Sequence, residues 1–290
     1  MTTITVGGVT FNNTGAPDAS GVTWTFSGTK GWFDGAPAKG GTTDRTQQHG
    51  VLAERTWRDA RLITVEGHVN APARRLASDA QRVLASLLAE GTFGDFTVND
   101  PDQGVLTSSV RGEGVPQIDW DSGLDIDFLL TFMAPDPLRY AAPVTLTTGY
   151  PAPAGGLEYD LYTDGAGVDL GFLEYGAPSP TGRLVLVNPG TADVSPVFKV
   201  TGPVVGGFEL IRTGTGDRLR YVGDIPAGST VTLDSADATV LMDALYDRAG
   251  NLTIRDWWAI GAESSVEVTF VPTGPLTAAS LAVTFAPGYW

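Results

Sequence analysis

The chain has 290 residues, a net charge of −15, 37 glycines, 19 prolines and no cysteine. The missing thiols exclude disulfides, cysteine nucleophiles, thiolate zinc sites and iron–sulfur clusters, and the acidic balance argues against a nucleic-acid backbone or an anionic membrane as partner. A hydrophobic share of 42% is that of a folded protein.

The length fits two domains. No stretch approaches the roughly 20 apolar residues of a membrane span. The start, Met1-Thr2-Thr3-Ile4-Thr5-Val6, lacks the pattern of a secretion signal, so synthesis in the cytosol is expected.

Residues 6–11 and 22–26 alternate in polarity and predict strands, with Asn13, Gly15, Pro17 and Asp18 turning the chain between them. Residues 27–50 are glycine-rich and predict a long irregular loop, which in a compact domain is usually functional. Trp32 and Phe33 within it favour a docked loop. The strand pattern resumes over 61–69.

A single amphipathic helix is then expected. Pro72 stands near its start, Leu76, Ala80, Val83, Leu84, Leu87 and Leu88 form its apolar stripe, and Gly91 is placed to end it. Strands follow at 93–98, 105–111 and 115–120. In the next strand Leu124, Ile126, Phe128, Leu130 and Phe132 share one face. It runs into Ala134-Pro135-Asp136-Pro137-Leu138-Arg139-Tyr140, an elbow whose two prolines stop the sheet and mark a boundary near residue 140.

The segment 143–182 reads as a linker with a short pairing arm. From 183 onward strands recur at 184–187, 196–200, 208–211, 219–222, 230–233, 266–270 and 281–285, which predicts an antiparallel sandwich or jelly roll. The fold class expected is mainly β. A sandwich or barrel-like domain with one helix spans 1–142, a linker spans 143–182, and an antiparallel β-sandwich spans 183–290.

Catalytic constellations are hard to assemble. Only His49 and His68 are available as bases, and a strand position makes His68 structural. Asp119, Asp121, Asp125 and Asp127 invite a glycosidase reading, but Asp125 and Asp127 lie on the polar face of an alternating strand, as solvated residues do. Asp100 and Asp102 lack the later ligands of a calcium loop; Asp160, Asp164 and Asp169 carry as little weight. Gly165-Ala166-Gly167 neither follows a clear strand nor opens a helix, as a phosphate cradle would. No cofactor, metal or catalytic residue is expected. Trp257 and Trp258, with Tyr289 and Trp290, raise sugar stacking as an alternative.

The chain resembles the distal tail proteins of long-tailed, siphovirus-type bacteriophages. The likeness rests on the strand Arg61 to Val69 leading into a lone helix and on the strand ending at Asp136-Pro137-Leu138-Arg139-Tyr140. It rests also on Val187-Asn188-Pro189-Gly190-Thr191-Ala192 followed by Pro196-Val197-Phe198-Lys199-Val200-Thr201-Gly202. Downstream, Gly216-Asp217-Arg218-Leu219 and Pro226-Ala227-Gly228 fit in the same order.

The resemblance implies an N-terminal domain that builds a hexameric homo-oligomeric ring in the virion, at the tail tip. Its partners there would be the tail tube protein, the tip hub and receptor-binding proteins. It also implies a galectin-like C-terminal sandwich, and a belt at about 27–50 that wraps a neighbouring subunit. Trp32, Phe33, Arg45 and His49 are then the expected interface residues. A carbohydrate-binding module using Trp257 and Trp258 is the alternative, and a wall-polymer hydrolase a third reading.

Overall fold

A computed structural model describes residues 1–151 and 181–290. The remainder of the expected linker, with Asp160, Asp164, Asp169 and the glycine pair at 165 and 167, lies outside the described residues. The chain divides into two units, one of Met1–Ala142 with Gly288–Trp290 and one of Pro143–Pro287.

The first unit contains β1 (Thr3–Val6), β2 (Val9–Asn12), β3 (Thr23–Lys30), β4 (Ala38–Lys39), β5 (Thr42–Asp44), β6 (Val51–Ala53), β7 (Trp57–Arg58) and β8 (Arg61–Asn70). Helix α1 (Arg74–Ser86) follows, then β9 (Phe93–Asp100), β10 (Gly104–Gly112), β11 (Gln117–Trp120), β12 (Asp125–Ala134) and β13 (Arg139–Tyr140). Seven of these strands close a barrel in the order β12-β8-β3-β2-β1-β9-β10. The ring shuts where Arg111 and Gly112 of β10 meet Met133 and Phe132 of β12. Closure removes most of the exposed sheet edge that an open sheet would present. Strand β11 extends the sheet beyond β12.

Period-2 alternation explains the barrel interior. Ile63, Val65 and Val69 of β8 point inward with Ile126, Phe128, Leu130 and Phe132 of β12, joined by Ile4, Phe11, Phe96 and Val110. The alternation lapses at Gly67 for a steric reason. A Cβ there would lie 2.5 Å from the Phe128 ring and 2.2 Å from the Thr25 carbonyl oxygen, so only glycine lets β3 and Phe128 approach. Ala77, Ala80 and Leu84 of α1 join the same cluster. The Arg74 guanidinium lies 3.8 Å over the Trp120 ring and ties the helix start to β11.

Three expectations for this unit need correction. Residues 6–11 are not one strand: Gly7 and Gly8, at φ +54° and +83°, turn the chain between β1 and β2. The helix ends at Ser86, before Gly91, because Leu88 already adopts left-handed backbone at φ +48°. Val83 lies off the buried stripe, 38% exposed.

The second unit comprises β14 (Val144–Gly149), β15 (Arg183–Asn188), β16 (Val197–Thr201), β17 (Gly207–Arg212), β18 (Arg218–Val222), β19 (Thr230–Asp234), β20 (Thr239–Met242), β21 (Tyr246–Asp247), β22 (Leu252–Arg255), β23 (Ser264–Pro272) and β24 (Ser280–Phe285). Two antiparallel sheets, β14-β24-β16-β19-β20-β21 and β15-β23-β17-β18-β22, form a sandwich. Between them Phe208 stacks on Tyr221 at 5.3 Å and meets Phe270 edge-on at 5.8 Å. Residues 144–149, expected in the linker, are therefore a strand of this sandwich. Residues 288–290 leave the sandwich: β25 (Gly288–Tyr289) pairs with β13 of the first unit.

Candidate assembly arm and its anchor

The segment expected to be a long irregular loop is irregular over most of its length, with short strands at 27–30, 38–39 and 42–44. Strand β3 carries the chain to Lys30, and residues 37–59 then form a two-stranded ribbon. Ala38 and Lys39 pair with Arg58 and Trp57, and Thr42, Thr43 and Asp44 pair with Ala53, Leu52 and Val51. The turn at 45–50 is closed by the Arg45 amide donating to the Gly50 carbonyl at 3.4 Å. Each leg extends roughly 30 Å at about 3.3 Å per residue.

Every residue from 37 to 59 is exposed, and Val51, Leu52 and Trp57 are 47%, 55% and 61% accessible. A lone two-stranded ribbon is marginal in water. One that also presents apolar side chains and two free backbone edges is a surface awaiting cover. The Arg55 guanidinium lies 4.4 Å over the Trp57 ring and shields one face of it.

Two buried arginines fix the root of this arm. Arg61 opens β8 and is 1% exposed. Its Nη1 donates to the carbonyl oxygens of Gly31 at 2.7 Å, Trp32 at 3.2 Å and Asp34 at 2.5 Å, and its Nε to Pro137 at 2.9 Å. The planar guanidinium thus clamps residues 31–34 to the proline elbow. Gly31 is required at this bend: it has φ +81°, and a Cβ would fall 1.8 Å from the Leu62 oxygen.

Arg139, the last residue of the elbow motif, donates to the Trp32 carbonyl at 3.0 Å and to the main-chain oxygen of Trp290. Burial, and then the neighbouring Arg139 charge, push the Arg61 guanidinium below its ordinary pKa; burial alone does so for Arg139. The motif Asp136-Pro137-Leu138-Arg139 therefore holds the arm root. Asp136 accepts from the Leu138 amide at 3.0 Å and from the Tyr140 hydroxyl at 2.6 Å, making the elbow rigid.

The expected interface residues divide. Trp32 is 1% exposed, its ring 5.2 Å from Phe96, so it is core and unavailable to a partner. Phe33 is 48% exposed beside it, and Arg45 and His49 lie exposed at the arm turn. Val51, Leu52, Arg55 and Trp57, exposed on the returning leg, were not among the expected residues.

For sugar stacking, Trp258 is unsuitable. It is 5% exposed and packs edge-on against Phe198 at 5.5 Å, while Trp257 is half-buried.

His68 on β8 sits opposite Asp127 of β12. The two ring nitrogens of His68 reach Asp127 at 2.8 Å and Asp125 at 3.3 Å. The Asp127 hydrogen bond raises the pKa of His68, partial burial opposes, and Asp125 adds to the rise. Hydrogen bonds from Ser122 and Asn70 lower that of Asp125. The Ser122 hydroxyl bonds Asp125 and not the His68 ring, and the group acts as a cross-strand clasp. Asp100 accepts from the amides of Asp102 and Gln103 at 3.0 and 3.2 Å and so closes the β9–β10 turn. Among the described residues no helix is long and apolar enough to cross a membrane.

No protein-family model matches the chain, and no curated protein matches it. Solved structures do. The Dit protein of phage SPP1, described as a paradigm of the hub adsorption apparatus in phages infecting Gram-positive bacteria, aligns over 100% of both chains with a TM-score of 0.67 and 15% identity. The chain has the fold of a phage distal tail protein. A chain of the phage P2 baseplate in its activated conformation with calcium aligns over 98% of each chain, with a TM-score of 0.53 and 8% identity. Both alignments span the barrel and the sandwich together, so the likeness covers the whole two-unit architecture.

Proposed function

We propose that this protein is a non-enzymatic structural component of a phage tail tip, located in the virion. Copies associate head-to-tail into a closed ring, six being the number the family resemblance implies. The arm at 37–59 embraces a neighbouring copy. The ring joins the tail tube protein on one side to the tip hub on the other, and receptor-binding proteins attach through the same apparatus. The observation that carries this reading is the pairing of a distal-tail fold over the full chain with an exposed, partly apolar arm on a buried guanidinium anchor.

Multi-angle light scattering and negative-stain imaging of the purified full chain, alone and with the tail tube protein, test the proposal. Closed rings are expected, and replacing residues 37–59 by a short Gly-Ser turn is expected to leave folded monomers. Monomers alone under every condition, or rings that survive loss of the arm, would overturn the proposed assembly.

A further inference from the structure

The outer wall of the barrel carries a groove of about 270 Å³, lined by Ser27, Glu66, Gln117, Asp119, Asp127 and Leu129. Strand register accounts for it. Gln117 and Asp119 of β11 lie beside Leu129 and Asp127 of β12, which in turn lie beside Glu66 and His68 of β8. Two features of this wall are unfavourable in an isolated chain.

Asp119 and Asp127 face each other directly across an antiparallel pair, a placement that like charges destabilise. His68 answers Asp127 and Asp125, but neither Glu66 nor Asp119 has an ion pair among the described residues. Beyond them, β11 ends the sheet, so its outer edge offers backbone donors and acceptors.

The arm has the complementary chemistry. The arm at 37–59 holds Lys39, Arg45, Arg55 and Arg58 against Asp44, Glu54 and Asp59, four positive charges against three negative, in a chain whose net charge is −15. Its edges are unpaired strands, the form that adds to a free sheet edge. None of its residues is covered by its own barrel.

We propose that this acidic groove is the receptor for the arm of the neighbouring copy. Arg45 and Arg55 of one copy lie against Glu66, Asp119 and Asp127 of the next, with Leu129 as the apolar floor. The inference rests on the ring reading and adds to it the surface that receives the arm.

Charge exchange in the full chain tests it. Glu66→Lys with Asp119→Lys reverses the groove, and Arg45→Glu with Arg55→Glu reverses the arm. All four substitutions together restore opposite charges between the arm and positions 66 and 119 in a homo-oligomeric ring, with Asp127 left as it is. Assembly is measured by sedimentation velocity, with thermal unfolding checking that each variant keeps its fold. If the lysines unfold the barrel, Glu66→Gln with Asp119→Asn removes the groove charge instead and is expected to weaken assembly without being rescued by reversal of the arm.

Each reversed pair is expected to weaken assembly at least tenfold, and the fourfold variant to regain most of it. Wild-type assembly is expected to weaken as salt rises, as contacts between exposed charges do. Rings that tolerate both reversals, or a loss that the fourfold variant does not recover, would overturn the groove while leaving the ring reading intact. A wild type that never assembles would overturn both.

Discussion

Arg61 offers the sharpest test of how the arm is anchored. Replacing it by Met keeps the length and apolar stem but removes four donated hydrogen bonds, to Gly31, Trp32, Asp34 and Pro137. Bonds from a charged donor contribute roughly 1.5–3 kcal/mol each. The variant no longer buries a guanidinium, which recovers several kcal/mol of desolvation. The balance is a loss of about 3 kcal/mol for the barrel, since four carbonyl oxygens lose a donor at once.

With a urea slope of about 2 kcal/mol per molar, the midpoint of the barrel transition should fall by roughly 1.5 M. Urea-dependent hydrogen exchange, followed in peptides from β8, reads that transition separately from the sandwich. The Gly31 amide, which donates to Asp34 at 2.8 Å, should lose protection as well. Arg61→Lys keeps the charge without the planar fork and should fall between the two. A midpoint shift below about 0.3 M for Met would refute the claim that this guanidinium holds the arm root.

Other outcomes follow from the same geometry. Trp32→Ala empties a fully buried site and should cost the barrel about 3–5 kcal/mol, read in the same exchange assay, whereas Phe33→Ala should leave stability nearly unchanged and act on assembly alone. Trp258→Ala should destabilise the sandwich by about 3–5 kcal/mol, seen in its thermal transition; an unchanged transition together with lost binding to cell-wall glycans would restore the carbohydrate reading.

His68 should titrate above its ordinary value of 6.5 in an NMR titration. Because its folded pKa is raised, its stabilising contribution is complete below about pH 6.5 and lost as pH rises through the folded value. Asp127→Asn should return it toward 6.5; a His68 that titrates at or below 6.5 in the unaltered chain would contradict the clasp. Gly67→Ala should prevent β3 from closing on β8, because its Cβ meets Phe128 and Thr25 at once; stability equal to the parent would show that the approach is looser than described.

The strands that bury one face were legible because burial imposes a period of two. Arg61 to Asn70, Asp125 to Ala134 and most sandwich strands show it in the sequence. The arm did not, since none of its residues is buried and nothing selects an alternation. Trp32 and Phe33 are neighbours of like chemistry, and what separates them is the pair Arg61 and Arg139, which draw the Trp32 carbonyl inward from 29 and 107 residues away.

The His68 clasp depends on the register between β8 and β12, and so does the Asp119–Asp127 confrontation. A single sequence states which face a residue takes but not which residue lies opposite. The signal available was that His68, Asp125 and Asp127 all occupy outward positions of strands expected to share a sheet. Pro135 and Pro137 were legible as the end of β12, although Arg139 and Tyr140 pair with the same sheet again. The elbow's second task, presenting Arg139 to the arm root and to Trp290, needed three-dimensional placement.

The central claim is that the barrel forms a ring through its arm. Native mass spectrometry of the full chain mixed with tail tube protein, with and without residues 37–59, tests it most directly. The account predicts a single closed species of six copies for the intact chain and folded monomers for the shortened one. Intact chains that stay monomeric, or shortened chains that still close, would contradict it.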